Sequence, residues 1–309
     1  MAAQVLITGG SGFIGKKLTA FLQQAGYSVV WLSRHPEKDT FKGVRSFAWN
    51  PEKGEMDPEA LKDTDAVIHL AGTNIGAARW TSKRKKEIID SRVNAAKTLY
   101  EYAKRTGKLS TIIAASATGL YGSGGPGMVF TEISPRGTGF QAEATAAWEQ
   151  ALDNLRSIPQ RFIKFRFSNV WGMEGGALPE MIKPVKLHVG ALGSGQQVIS
   201  WIHIDDLCRA ILFALQSPEL AGTYNLAAPE PGNYDSFVKQ ASDILHAGIW
   251  LPRLPAFLLR IGLGEMADLL IEGAYVSCER IRSAGFKFNY PTMRAALRNL
   301  LAAEDETSS

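Results

Sequence analysis

The stretch ITGGSGFIG (7–15) constrains this chain more than any other part of it. It stands between a short apolar run, QVLIT (4–8), and a helical pattern carried by Leu18, Phe21 and Leu22. Gly9, Gly12 and Gly15 fall at G-x-x-G-x-x-G spacing. A backbone that leaves a strand, turns sharply and enters a helix needs residues without Cβ atoms at those points. The same turn lets the backbone approach a pyrophosphate, and the start of the helix, at Phe13 and Ile14, then faces the anion. A glycine pattern alone is a weak signal; a strand before it and a helix after it supply the context.

Strand and helix alternate well beyond this turn. Ser28–Leu32 (SVVWL), Asp65–Leu70 (DAVIHL), Leu109–Ala115 (LSTIIAA) and Arg161–Phe167 (RFIKFRF) read as strands, and 82–105 and 140–156 as helices. The strands are apolar nearly throughout, as strands are when helices cover both faces of a parallel sheet. The fold class is therefore α/β: a Rossmann-type, doubly wound parallel sheet with a smaller, mostly helical C-terminal lobe. Pro/Gly-rich stretches at 172–197 and 227–233 break the rhythm, and one more strand is expected near 286–290. These breaks divide the chain into a dinucleotide-binding domain (1–172 with 206–228), a substrate lobe (173–205 with 229–300) and a polar tail (301–309).

The end of the second strand chooses between cofactors. An NAD site places a carboxylate there for the ribose 2′-hydroxyl, whereas an NADP site needs neutral and basic groups for a 2′-phosphate. Here Leu32 is followed by Ser33, Arg34 and His35, and no acid comes before Glu37. Arg34 can grip a phosphate with its planar fork and Ser33 can donate a hydrogen bond, so the expected cofactor is NADP(H).

Other partners find little support. The net charge is only +4, and the basic run Lys83–Lys86 continues into an amphipathic pattern, a solvated helix face in preference to a nucleic-acid patch. The apolar stretch 254–271 contains Arg260, Glu265 and Asp268, too short and too charged to span a membrane. Five scattered histidines show no metal spacing, and two distant cysteines, Cys208 and Cys278, fit a reduced, cytoplasmic setting. No signal peptide is visible ahead of the first strand. The expected partner is a small-molecule substrate, and a homodimer is left open.

With these residues in hand, the chain resembles an extended short-chain dehydrogenase/reductase of the NAD(P)-dependent epimerase/dehydratase superfamily. The likeness covers TGGSGFIG, DAVIHLAG (65–72), SATGLYG (116–122), RFSNVWG (166–172) and WIHIDDL (201–207), in matching order and spacing. AGTNIGAARWTSKRKKEIIDSR (71–92), WEQAL and LPAFLLRIGLGEMADLLIEG narrow it to an atypical subgroup with a small C-terminal domain of unknown role. Some members of that subgroup carry a historical cell-division-inhibitor label. The resemblance implies that Leu70 and Ala71 end a strand beside the adenosine half of the cofactor, with Gly72 leaving room. It places Arg92 near the cofactor's phosphate or ribose oxygens, Glu87 against a hydroxyl or against Arg92, and Val170 beside the nicotinamide.

The resemblance also exposes an absence. Relatives that move hydride use a tyrosine acid/base and a lysine four residues on, with a nearby Ser or Thr. Counted from Trp148-Glu149, those positions hold Gln141 and Thr145, and the Ser/Thr position holds Ala117. Ser116, Thr118 and Tyr121 are the hydroxyls left as catalytic candidates. Without a nearby cation, Tyr121 is expected to titrate near its ordinary value, about 10. His203 and Asp205 of WIHIDDL are expected to join the substrate loop to the core. Ile199 stands where many relatives have an arginine for a nucleotide-sugar phosphate, which argues against such a substrate. An NADP(H)-dependent oxidoreductase or epimerase-like enzyme, a sensor of NADPH without turnover, and a protein-interaction module are the three resulting readings.

Overall fold

A computed structural model describes residues 3–106, 109–125, 127–251 and 253–307. The first strand, β1 (Gln4–Thr8), runs into the glycine turn and α1 (Phe13–Gln24), followed by β2 (Ser28–Ser33), β3 (Arg45–Asn50) and a short β4 (Glu55–Met56). After β5 (Ala66–His69) come α2 (Ser82–Ala103), β6 (Thr111–Ala117), β7 (Val129–Phe130), α3 (Phe140–Asp153) and β8 (Arg161–Phe167). The second half holds β9 (Asn169–Gly172), β10 (Gly175–Gly176), α4 (Leu178–Lys186), β11 (Val198–Ile199), β12 (Trp201–His203), α5 (Ile204–Gln216) and β13 (Gly222–Leu226). It closes with β14 (Gly232–Asn233), α6 (Tyr234–Leu245), α7 (Ala256–Leu263), α8 (Asp268–Ile271), β15 (Tyr275–Val276), α9 (Glu279–Ser283) and α10 (Met293–Thr307).

Eight strands form the main sheet in the order β13-β8-β6-β5-β1-β2-β3-β4, parallel except for β4. The chain steps outward from β1 through β2 and β3, then returns to build β5, β6, β8 and β13 on the other side. The order reverses between β1 and β5, and a crevice opens beyond the carboxyl ends of strands at such a point. Helices cover both faces. Leu18 and Leu22 of α1 pack with Leu207 and Ile211 of α5 on one face; Ala95 and Leu99 of α2 pack with Trp148 and Leu152 of α3 on the other. Both expected helices end early, α2 at Ala103 and α3 at Asp153.

A third apolar cluster lies outside the sheet, where Trp171 and Trp201 stack with ring centroids 4.5 Å apart among residues of α4, α6 and α10. WIHIDDL fastens it to the sheet. The amides of Asn289 and Tyr290 both donate to the fully buried Asp206 carboxylate at 2.8 Å, and Arg209 donates to the same group. His203 caps α5 through Nδ1, meets Asn299 through Nε2 and stacks on Tyr290. No strand forms near 286–290, because these amides bond a carboxylate in place of a neighbouring strand. Helix α10 runs on past the expected tail boundary at 301 to Thr307, while Ser308 and Ser309 lie outside the described residues.

Candidate functional site

At the crevice between β1 and β5, three glycines are held by contact. Gly9 has φ +74°, and a Cβ on it would stand 3.2 Å from the backbone of Ala71. A Cβ on Gly15 would meet the carbonyl oxygen of Gly9 at 2.4 Å, and one on Gly10 would strike the Trp31 ring at 2.4 Å. Gly12 differs: its Cβ would find only the oxygen of Gly9, at 3.3 Å. The space before Gly12 is therefore open, at the start of a helix with no side-chain cap and no acid in its first turn. Free amides and the positive end of the helix dipole point there. The Phe13 ring is seated against β9 and β10, where a Cβ on Gly172 or Gly175 would come within 2.5 or 2.8 Å of it. That contact ties the turn to the strand carrying the half-buried Val170.

Gly10 and its seat on Trp31 were not singled out from sequence, although SVVWL supplies the indole. A second fastening was also missed. The Thr8 hydroxyl accepts from the amides of Leu70 and Ala71, at 3.1 Å each, and lies 2.9 Å from His69 Nδ1. An oxygen that accepts twice has its proton free to donate, which assigns the His69 proton to Nε2. Burial lowers the His69 pKa to about 4, so the ring is neutral at ordinary pH.

Around this crevice stand two arginines without acids. Arg34, just past β2, is exposed and has no hydrogen bond or ion pair among the described residues. The nearby Glu37 engages His35 instead, and the buried Ser33 accepts from the His35 amide. Arg92 lies against Gly72, where a Cβ would meet its Cγ at 3.1 Å, with its guanidinium 5.1 Å from the Trp148 ring. Its hydrogen bond goes to the Ile88 carbonyl, and no carboxylate pairs with it among the described residues. Burial, with Arg84 nearby, lowers its pKa to about 10. Glu87 does not orient Arg92: it pairs with Arg84 at 2.7 Å, which also holds the Asn74 carbonyl. The run Lys83–Lys86 is accordingly only partly a solvated face, since Arg84 and Lys85 are half-buried.

The catalytic candidates part company. Ser116 is buried and donates to Glu149 at 2.6 Å. Glu149 also receives two hydrogen bonds from Arg166 and one from Lys164. Burial pushes its carboxyl up, but these partners outweigh burial and leave it below the usual value. Tyr121 is buried, donating to Asn225 at 2.7 Å and accepting from Arg166 at 2.8 Å. A cation does stand beside Tyr121, contrary to expectation, yet burial prevails and raises its pKa. Thr118 is the one candidate whose hydroxyl has no partner among the described residues. Gln141 and Thr145 share one face of α3, and both approach Gly119, next to Thr118, within 3.5 Å of where a Cβ there would be. The helix has the expected register, with neutral side chains facing the turn after β6.

Among the described residues no cluster of His, Cys, Asp and Glu could hold a metal, and no helix is long and apolar enough to cross a membrane. A glycine turn at the switch point of a doubly wound sheet defines a dinucleotide-binding protein of the extended short-chain dehydrogenase/reductase class. Residues 5–227 match the NAD dependent epimerase/dehydratase family, to which the chain belongs, and 254–300 match a domain of unknown function, DUF1731. The Epimerase family protein YfhF of Bacillus subtilis is 35% identical over 301 residues, 96% of this chain and 98% of that one. Epimerase family protein Mb2239 of Mycobacterium bovis is 36% identical over 96% of each chain. The crystal structure of human epimerase family protein SDR39U1 with NADPH superposes with a TM-score of 0.84 at 27% identity, covering 97% of this chain and 99% of that one.

Proposed function

We propose that the protein binds NADP(H) and is an oxidoreductase or epimerase-like enzyme acting on a small molecule, with the Tyr-x-x-x-Lys dyad absent. The observation that carries this is the pair Arg34 and Arg92, cations left without acids on either side of an open glycine turn. The exposed Arg34 has solvent, but burial without a counter-ion is unfavourable for Arg92 and is relieved by an anion. Gly9, Gly12 and Gly15, with the amides at Phe13 and Ile14, would hold the pyrophosphate. Ser33 and Arg34 would hold the 2′-phosphate, Arg92 a phosphate or ribose oxygen, and Leu70, Ala71, Gly72 and Val170 would line the bound molecule. NADPH bound to the human relative supports the reading.

The bound cofactor supplies hydride chemistry, and the chain must then orient and polarise a carbonyl. Thr118 can donate a hydrogen bond to such an oxygen. Ser116 and Tyr121 are committed to Glu149, Asn225 and Arg166, and they serve to hold β6, α3 and β8 together. Proton delivery is accordingly poor at neutral pH. That commitment favours a second reading, an NADPH-binding sensor with no turnover. NADPH consumption over a panel of small carbonyl compounds separates the two. Slow oxidation that falls at least about ten-fold in Thr118→Val supports the enzyme. Binding with no oxidation of NADPH leaves the sensor.

A further inference from the structure

Six of the ten exposed large apolar side chains among the described residues fall within 249–261: Ile249, Trp250, Leu251, Phe257, Leu258 and Ile261. Single exposed apolar residues are ordinary, but a continuous patch marks an interaction surface. Trp250 is 79% exposed and yet fixed. Its ring stacks on His188 with centroids 4.5 Å apart and planes 6° from parallel. Its Nε1 lies over Gly248, where a Cβ would come within 2.5 Å. His188 takes a left-handed backbone, φ 61°, and its Nδ1 meets the Gly248 carbonyl at 2.6 Å. A left-handed residue other than glycine costs about 1–3 kcal/mol. The amides of Trp250 and Leu251 both bond the His188 carbonyl, which sets the segment on a small ladder beside 188–193. Local strain thus holds a large aromatic side chain outward, and the fold makes no use of its exposed face.

Beside this residue opens a cleft of about 520 Å³, lined by Asp235, Val238, Lys239, Asp243, Ile249 and Leu251 among others. A projecting ring and a cleft on one face are what a two-fold interface between identical chains requires, since each copy must offer both. The charges point the same way. Lys239 and Asp243 lie one turn apart on α6 and have no ion pair or hydrogen bond among the described residues. Two α6 helices crossing antiparallel at a two-fold axis bring Lys239 opposite the partner subunit's Asp243. The neighbouring arginines are already engaged, Arg253 by two hydrogen bonds to Asp235 and Arg260 by Asp268. That leaves no surplus positive charge for an anionic lipid surface or a nucleic acid.

We infer that this face joins two copies of the chain, each Trp250 seated in the cleft of the other. Sedimentation velocity over a concentration series tests it, with circular dichroism confirming that each variant is folded. The native protein is expected to form a dimer, and Trp250→Ala to raise the dimer Kd at least ten-fold, about 1.4 kcal/mol. Lys239→Asp should weaken the dimer, and the double variant Lys239→Asp, Asp243→Lys should restore it. Ile133→Ser, at an exposed residue far along the chain, should leave it unchanged. The charge series carries the test if Trp250→Ala fails to fold. A native protein that stays monomeric, or a dimer indifferent to both Trp250→Ala and the charge reversal, overturns the inference.

Discussion

Arg34 and Arg92 face different solvent environments, and that difference sets what each should do on substitution. Arg34 is exposed, so its grip on a 2′-phosphate is screened by salt. Arg34→Asp should weaken NADPH binding at least about ten-fold and narrow the preference over NADH, with the native preference itself shrinking as salt rises. Equal losses for both cofactors in fluorescence titrations would remove Arg34 from the 2′-phosphate. Gly12→Val should keep the fold and abolish binding, because a Cβ there meets only one protein atom, 3.3 Å away, and the branched remainder projects into the open space. Normal NADPH affinity in a folded Gly12→Val protein would move the site elsewhere. Sequence spacing pointed to these two positions. It was not enough to find Gly10 or the pairing of Thr8 with His69, which depend on strands far apart in sequence lying side by side.

Helix α3 is the element on which the proposed chemistry turns. Its register was readable from WEQAL, and Gln141 and Thr145 do face the turn after β6, because residues four apart share a helical face. Gln141→Tyr with Thr145→Lys should therefore raise any trace carbonyl reduction above that of either single change, measured as NADPH consumption. A double variant no faster than the singles would show that the helix face, or the bound cofactor, is misaligned for the dyad. Other elements were less legible. Strand β3 (RSFAWN) alternates exposed and buried residues, unlike the fully apolar central strands. Strand β13 is five residues long and buries Asn225, whose side chain accepts from Tyr121 and donates to the Ser277 carbonyl. A polar residue at a buried strand position conceals a strand from any apolar pattern. Near 286–290 the error ran the other way, since an apolar run there serves the core and an aspartate clasp without joining a sheet.

Across the whole molecule, two buried titrating groups tie stability to pH in one direction. His69 is held neutral with its pKa lowered to about 4, against about 6.5 unfolded, so its contribution is complete above pH 6.5 and lost as pH falls toward 4. The Glu149 carboxyl is also held below its ordinary value, so the stability from its bonds to Arg166, Lys164 and Ser116 is present above about pH 4.3 and lost as pH falls further. The melting temperature should decline from about pH 6.5 to pH 4 and fall further below pH 4, and His69→Asn should flatten the upper part of that decline. A melting temperature flat between pH 6.5 and pH 4 would contradict the His69 assignment, and one that falls no further below pH 4 would contradict that of Glu149. The alternation of strands and helices and the family motifs were enough to anticipate the sheet with its cofactor crevice. Which hydroxyls were free was hidden, because Ser116 and Tyr121 are spent on residues from three other strands and helices. An open glycine turn flanked by unpaired arginines is the proposed NADP(H) site, and calorimetric titration of the native protein with NADPH and with NADH decides it. NADPH is expected to bind saturably and at least about ten-fold tighter than NADH. Equal affinity for the two, or binding of neither, would contradict it.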